Sequence, residues 1–221
     1  TEELLWGAAA GVCGSIAITI LYRGFTVSQI GIVSPISSVG AAAIPVVIGL
    51  FTGERPSDTA LIGVMVGIVS IALVSRSSPG GGGGSTLVGV LHGLGAGLGF
   101  AGMFVLLSFT SEGAGTWPLV PGRLAGAVAL TLWAMALKSP LRPVKGSWLP
   151  IFGAGVLAMV GNGLFILAVQ RGLLSLVSVL TSLYPAASVL WARVLLKERL
   201  RPVQMVGFVL ALVAVALIIT S

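Results

Sequence analysis

The sequence predicts an all-α, polytopic helical membrane protein, and two observations carry that prediction: the composition and the length of the apolar runs. Only 8% of the 221 residues are charged, 56% are hydrophobic, and the mean hydropathy is +1.10. A soluble domain carries about 25% charged residues, so this chain cannot cover itself with a water-facing surface. The apolar residues fall in runs of about 20, the length at which a helix crosses ~30 Å of hydrocarbon.

Turn residues and charges between the apolar runs predict eight spanning helices. They cover residues 4–22, 27–52, 59–75, 87–110, 117–137, 149–170, 173–196 and 203–220. The longest separator, RSSPGGGGGST at 76–86, contains five consecutive glycines, and such a run is typical of a flexible linker. We therefore expect a first unit of three helices at 1–75, a linker at 76–86, and a second unit of five helices at 87–221.

The charges indicate membrane topology rather than nucleic-acid binding. Twelve Lys and Arg stand against six Asp and Glu, a net charge of +6, which is typical of positive charge retained on one membrane face. No nucleic-acid partner is expected. The single cysteine, Cys13, excludes an intrachain disulfide and is expected to be a buried, inert thiol. The chain begins at Thr1, and the missing initiator Met suggests a piece of a longer protein.

A weak internal repeat relates residues 33–75 to residues 177–219 without a gap, a shift of 144 positions. Five predicted spans separate its two Glu-Arg loops, and an odd number of crossings puts the loops on opposite membrane faces. The repeat is therefore predicted to be inverted, a construction typical of secondary transporters. The matches that composition explains least are Glu54 with Glu198, Arg55 with Arg199, Ser34 with Ser178, Ser37 with Thr181, and Ser38 with Ser182.

These motifs resemble the EamA-type branch of the drug/metabolite transporter superfamily. The segment SLYPAASVLWARVLLKERLRPVQMVGFVLALVAVALI at 182–218 has the family's order: a helix with serine and proline, a Lys-Glu-Arg loop, and a final apolar helix with glycine. The copy at 38–74 has a Gly-Glu-Arg loop, but Ala41 stands where the second copy has Pro185. The resemblance implies two inverted halves of five helices each. This chain has three predicted helices before the linker and five after it, so the first two helices of the first half would precede Thr1.

The orientation in the membrane stays open. Loops on one predicted face hold eight basic residues, whereas the opposite loops hold only Arg55 and Arg171. The positive-inside rule would put the basic face in the cytoplasm and both chain ends outside. The family resemblance implies both ends inside.

Polar residues inside predicted spans are the candidates for a substrate pathway, because polar groups in hydrocarbon need partners or water. Asn162 lies near mid-depth, where a substrate or a neighbouring helix could satisfy its amide. Hydroxyls on equivalent helices could line both sides of one cavity, or pack as small residues bonded back to the preceding turn. These hydroxyls belong to Ser34, Ser38, Ser178, Thr181 and Ser182.

Four further residues complete the set of pathway candidates. Pro185 would free the carbonyl of Thr181 beside Tyr184, which predicts a hinge or cavity wall, with simple helix curvature as the alternative. Arg123 would either snorkel to the interface or face a wet pathway that favours anionic or zwitterionic substrates. His92 would be a packed polar residue or, less often, a proton carrier. In the same helix as His92, Gly93, Gly95, Gly97 and Gly99 form small-xxx-small pairs that predict close helix contacts.

The pattern of acids predicts how transport is coupled. All six lie in loops or at the chain start, so carboxylate-based proton coupling has no candidate unless the missing helices contain one. We expect a secondary transporter of small metabolites, such as amino acids, or of amphipathic drugs, with facilitated or weakly coupled movement. It would need no cofactor or metal, its partners would be the substrate and the lipid bilayer, and its place would be the cell membrane. A non-transporting membrane scaffold is an alternative. An enzyme is disfavoured because the predicted spans contain no set of residues for general acid/base catalysis or for binding a catalytic metal.

Overall fold

The computed structural model describes residues 2–28, 30–74, 86–138, 146–183 and 202–219. Within these ranges the secondary structure is helical, with no strand. A short 3-10 helix, Glu112–Ala114, lies in the connection after the fourth helix. The α-helices are α1 (Glu2–Val27), α2 (Ile30–Phe51), α3 (Asp58–Val74), α4 (Thr86–Ser108), α5 (Leu119–Ala136), α6 (Trp148–Val169), α7 (Leu174–Ser182) and α8 (Pro202–Ile219).

The all-α prediction is confirmed, and each predicted helix has a counterpart. One boundary was wrong: α1 runs to Val27, through the Arg23-Gly24 pair that we expected to end it. Gly24 is buried, and a Cβ there would lie 2.8 Å from the Cβ of His92 and 2.8 Å from Cγ1 of Val33. This glycine serves close helix packing rather than a turn. The rest of the predicted 173–196 helix, with Tyr184 and Pro185, lies outside the described residues, as do Glu198-Arg199 and almost all of the linker.

Four of the described helices are long and apolar enough to cross a membrane. They are Glu2–Val27, Leu87–Ser108, Leu119–Ala136 and Trp148–Val169. Three further apolar stretches are shorter, namely Ile36–Phe51, Asp58–Leu73 and Met205–Ile218. Many large apolar side chains face outward, among them Leu149 and Leu157 of α6, as expected for a surface that meets lipid rather than water.

The helices pack in three main groups. Helix α1 packs on α4 and α5, α2 packs on α4 and α7, and α3 packs on α8. Helix α6 makes few contacts, chiefly with α4 and α7. One apolar cluster joins α2, α3, α7 and α8 through residues such as Val64, Ile71 and Val179, and a second joins α1, α4 and α6 around the stacked rings of Phe104 and Phe165.

Glycines set the distances between several of these helices. The predicted contacts of α4 are confirmed: Gly93 and Gly97 face Ile36 and Ser37 of α2, and Gly99 faces Ala17 of α1. Helices α1 and α5 approach even more closely. Side chains at Gly7 and Gly11 would collide with the backbone of Pro118 and Gly122, and a Cβ at Gly126 would lie 3.0 Å from the carbonyl oxygen of Gly11. Such backbone contact is typical of small-xxx-small pairs in membrane helices.

Helices α3 and α8 meet through two contacts at opposite ends of their shared surface. The hydroxyl of Ser70 donates a 2.7 Å hydrogen bond to the carbonyl oxygen of Gly207. At the other end, a Cβ at Gly63 would lie 3.3 Å from the carbonyl oxygen of Ala214. These two contacts show that the helices run antiparallel.

Candidate functional site

A cavity of about 380 Å³ lies between α1, α4, α5 and α6. Three polar side chains line it: Arg123 from α5, Asn162 from α6 and Ser15 from α1. Glycines, alanines and apolar side chains such as Phe100 and Met103 make up the rest of the described lining. The structure therefore brings together two residues, Arg123 and Asn162, that the sequence nominated separately.

Arg123 and Asn162 lie at similar depths. Arg123 is four residues after Leu119, where α5 begins, which is about 6 Å along the helix axis. Asn162 is seven residues before Val169, where α6 ends, or about 10 Å. Both ends belong to the same face of the bundle, which we name the Glu54 face and define by the connections 52–57, 109–118 and 170–173. The two polar groups therefore face the cavity within about one helical turn of each other.

Neither side chain is used by the rest of the described fold. Arg123 is exposed and Asn162 half-buried, and neither forms a hydrogen bond or an ion pair with any residue that the structure describes. Arg123 is also the only charged residue among those described around the cavity. A cation and an amide thus share a largely apolar cavity, with their hydrogen-bonding groups available to a ligand.

The glycine contacts of α1 and α5 explain where Arg123 stands. Gly122 and Gly126 lie against the α1 backbone, so α5 is in close backbone contact with α1. Arg123 follows Gly122 and is therefore turned by about 100° from that contact line, since a helix has 3.6 residues per turn. Arg123 therefore lines the cavity next to the α1–α5 contact, and its side chain does not lie between the two helices.

The predicted hydroxyl residues lie elsewhere, on α2 and α7, two helices that pack against each other. Ser38, Ser178 and Ser182 are buried and Ser34 is half-buried, and none of them lines the cavity of Arg123 and Asn162. Thr181 bonds back to the carbonyl oxygen of Val177 at 2.8 Å. The hydroxyls of Ser37, Ser178 and Ser182 are buried without a partner among the described residues.

His92 also lies outside the cavity, in the contact between α4 and α1. Its Nδ1 is 2.8 Å from the carbonyl oxygen of Val88, which fits an Nδ1–H donor bonding to the preceding turn. Its Cβ packs against Gly24. Tyr184 and Pro185, the remaining candidates, lie outside the described residues.

The sequence analysis did not predict the role of Glu54, which it used only as part of the repeated Glu-Arg loop. Its carboxylate accepts hydrogen bonds from the backbone N–H groups of Leu174, at 2.6 Å, and Ser175, at 3.1 Å. It also accepts one from the Ser175 hydroxyl. Leu173, just before α7, has no side chain that can cap the helix, so Glu54 satisfies N–H groups that a helix start leaves open. The sequence does show that the residue before α7 cannot cap the helix. It does not show which residue caps it instead.

Other hydrogen bonds tie together the connections of the Glu54 face. The side-chain amide of Gln170 donates to the carbonyl oxygens of Ser111, at 2.8 Å, and Gly115, at 3.1 Å. The backbone N–H of Ser111 in turn donates to Glu3 at 3.0 Å. A second cavity of about 230 Å³ lies beside Glu54. Among the residues described, no group of His, Cys, Asp and Glu is arranged to hold a metal ion.

The apolar helices indicate an integral membrane protein, and the cavity that they line is of small-molecule size. The chain belongs to the EamA-like transporter family, whose family model matches residues 87–220, from α4 to the end of α8. This is a family of membrane transporters of small molecules, and membership points away from an enzyme.

The fold also has a counterpart among solved structures. A protein known from a crystal structure matches 99% of this chain and 89% of its own length, with a TM-score of 0.66 and 14% sequence identity. At that identity the likeness concerns the fold alone. A comparison with curated proteins gives no match.

Proposed function

We propose that this protein is a secondary transporter of the cell membrane that moves small metabolites, or amphipathic compounds, by alternating access. Its substrate site would be the cavity between α1, α4, α5 and α6. The observation that carries the proposal is the meeting of Arg123 and Asn162, both without partners among the described residues, in one membrane-embedded cavity of a transporter-family chain. Unpaired polar groups at such depth are costly unless they serve a substrate or water.

The α3–α8 contact supports an inverted repeat. The sequence shift of 144 equates Gly63 with Gly207 and Ser70 with Ala214. If each residue is replaced by its equivalent in the other copy, the contact of Ser70 with Gly207 becomes a contact of Ala214 with Gly63. The structure contains both contacts. Reciprocal contacts of this kind are typical of a two-fold axis between equivalent surfaces. In membrane transporters such an axis in the membrane plane accompanies alternating access.

The apolar cluster around this contact supports the same relation. It contains three pairs of residues that the shift equates: Val64 with Phe208, Ile71 with Val215, and Val39 with Leu183. Both copies thus contribute equivalent positions to one shared core. Rocking of one unit against the other about that core would open the substrate cavity to each face in turn.

The Glu54 face would be the closed gate of the state described here. Glu54 joins the connection after α2 to the start of α7, and Gln170 joins the end of α6 to the connection after α4. Opening towards this face would break these hydrogen bonds. Each is a modest interaction, worth about 1 kcal/mol net and more where the acceptor is charged, so a substrate or thermal motion can exchange them.

A flux screen tests the proposal. The full-length protein in proteoliposomes would be given a metabolite panel, and uptake and efflux of each compound would be followed by mass spectrometry. We expect at least one compound to move, and its flux to fall at least tenfold in Arg123→Gln and in Asn162→Ala. Arg23→Gln is the matched control, because Arg23 is an exposed arginine of α1 that lies outside both the cavity and the connections of the Glu54 face. Equal flux in wild type and both cavity variants would contradict the assignment of the site.

A further inference from the structure

We infer that the cargo of the Arg123–Asn162 cavity is a small monoanionic acid with an apolar body, rather than a zwitterionic amino acid or a cation. The inference rests on the transport function proposed above and names the substrate class for the same cavity. Three features of the described lining carry it: its charge, its apolar side chains, and the lack of a carboxylate among those residues.

Arg123 is the one charged side chain among the described residues of the lining. No Asp or Glu is among the residues described around it, and no described residue pairs with the guanidinium. A guanidinium presents two parallel N–H donors that match the two oxygens of a carboxylate or phosphate. An anionic group on the ligand would supply the missing partner, whereas the guanidinium would repel a cation.

Asn162 fits a second contact to the same acidic group. Its amide NH₂ can donate to an acid oxygen, and its depth differs from that of Arg123 by about one helical turn. A single cation favours one negative charge over two, because a second charge would stay unpaired in the cavity.

The absence of an acid from the described lining disfavours zwitterions. An amino acid would bring an ammonium group that needs an anionic or strongly polar partner. Only Asn162, Ser15 and backbone carbonyl oxygens could accept its hydrogen bonds here. The other lining side chains, including Phe100, Met103 and Leu119, instead offer an apolar surface to the body of the ligand.

Matched ligands test this inference. One phenyl skeleton can be offered as 3-phenylpropanoate, 3-phenylpropanamide, 2-phenylethylamine and phenylalanine, and an indolyl and a branched alkyl skeleton in the same four forms. Binding to the full-length protein in phosphatidylcholine nanodiscs would be measured by calorimetry. We expect the acids to bind at least tenfold more tightly than their amides, amines and amino acids. Arg123→Gln should remove the preference, Arg123→Lys should keep part of it, and Arg23→Gln, at an exposed arginine outside the cavity, should leave it intact.

Several outcomes would overturn the inference. An amide, amine or amino acid that binds as tightly as its acid would do so, as would binding by no member of the set, or a preference for acids that survives Arg123→Gln. The acidic headgroup of a lipid offers the same chemistry as a soluble acid. Nanodiscs containing phosphatidylglycerol separate the two sources, because competition by this lipid at Arg123 would assign the site to a headgroup instead.

Flux measurements separate this inference from the proposed function. If the tightest-binding acid shows Arg123-dependent binding but no movement in proteoliposomes, transport fails and the ligand class stands. If an amine or an amino acid is carried instead, transport stands and the inference fails.

Discussion

The carboxylate of Glu54 accepts a 2.6 Å hydrogen bond from the backbone N–H of Leu174, the first residue of α7. These residues are 120 positions apart, and the bond joins the connection after α2 to the start of α7. An acid at a helix start satisfies open N–H groups and interacts favourably with the helix dipole. This contact gives a physical role to the Glu-Arg loop that the sequence repeats.

Removing this acid should loosen the contact between the 52–57 connection and the start of α7. We expect Glu54→Ala to lower the free energy of unfolding by about 1–3 kcal/mol, since three donors lose their charged acceptor. Glu54→Gln should cost less because it keeps one acceptor oxygen. Thermal unfolding in detergent measures the effect. Glu112→Gln changes an acid on the same face that is exposed, whereas Glu54 is half-buried, and it should leave the melting temperature unchanged. Identical melting of all three variants and wild type would show that the contact carries no stability.

Gln170 should hold the connection between α4 and α5 in place. Without its side-chain amide, the carbonyl oxygen of Gly115 loses its donor, and that of Ser111 keeps only the backbone N–H of Ala114. We expect Gln170→Ala to speed hydrogen exchange in residues 109–118 by several-fold, since an amide hydrogen bond contributes about 1 kcal/mol. The neighbouring change Arg171→Ala provides the comparison, because Arg171 is exposed. Unaltered exchange across 109–118 in Gln170→Ala would refute this role.

The close contact of α1 with α5 should tolerate no side chain. A methyl group at Gly11 would collide with the backbone of Gly122, so Gly11→Ala has to push the helices apart and displace Arg123. We expect a loss of stability of a few kcal/mol, as for other overpacked interfaces, together with weaker ligand binding. Gly153→Ala in α6 is the matched change, because a Cβ there meets nothing within 4 Å among the described residues. If both variants melt alike, the interpretation of this contact is wrong.

The buried hydroxyls of Ser178 and Ser182 in α7 should add nothing to the stability of the fold. Ser178 and Ser182 have no hydrogen-bond partner among the described residues, so replacing either by Ala removes an unsatisfied polar atom. We expect Ser178→Ala and Ser182→Ala to keep or slightly raise the melting temperature. The reason is that a buried unsatisfied polar group costs about 1–3 kcal/mol, and the alanine variants no longer contain it. Ser70→Ala, which removes a real hydrogen bond to Gly207, should lower it. A fall of several degrees in the α7 variants would mean that their hydroxyls do have partners.

The helices themselves could be predicted from the sequence because length, hydropathy and turn residues are local properties. The exception at Arg23-Gly24 arose because glycine has two uses in membrane helices, turns and close contacts, which only the neighbouring Val33 and His92 distinguish. The polarity and depth of Arg123 and Asn162 were likewise visible in the sequence. That they share a cavity depends on the α1–α5 contact and on the position of α6, which are tertiary properties.

The hydroxyl residues show the limit of the same reasoning. Their helical spacing correctly put Ser178 and Ser182 on one face of α7, and both are buried. Whether such a face meets a cavity or another helix depends on what packs against it, and here α2 does. Glu54 could not be paired with Leu174 from the sequence at all, because no local pattern links positions so far apart.

Water access to Asn162 tests the central claim, an aqueous cavity that opens alternately to both membrane faces. Cys13 is the only cysteine, so Cys13→Ala gives a background in which Asn162→Cys can be labelled alone by an impermeant maleimide. Leu164→Cys on the outward side of α6 is the control at similar depth. We predict labelling of Asn162→Cys from either compartment and of Leu164→Cys from neither. Labelling of Asn162→Cys from one compartment only, or from none, would contradict the account.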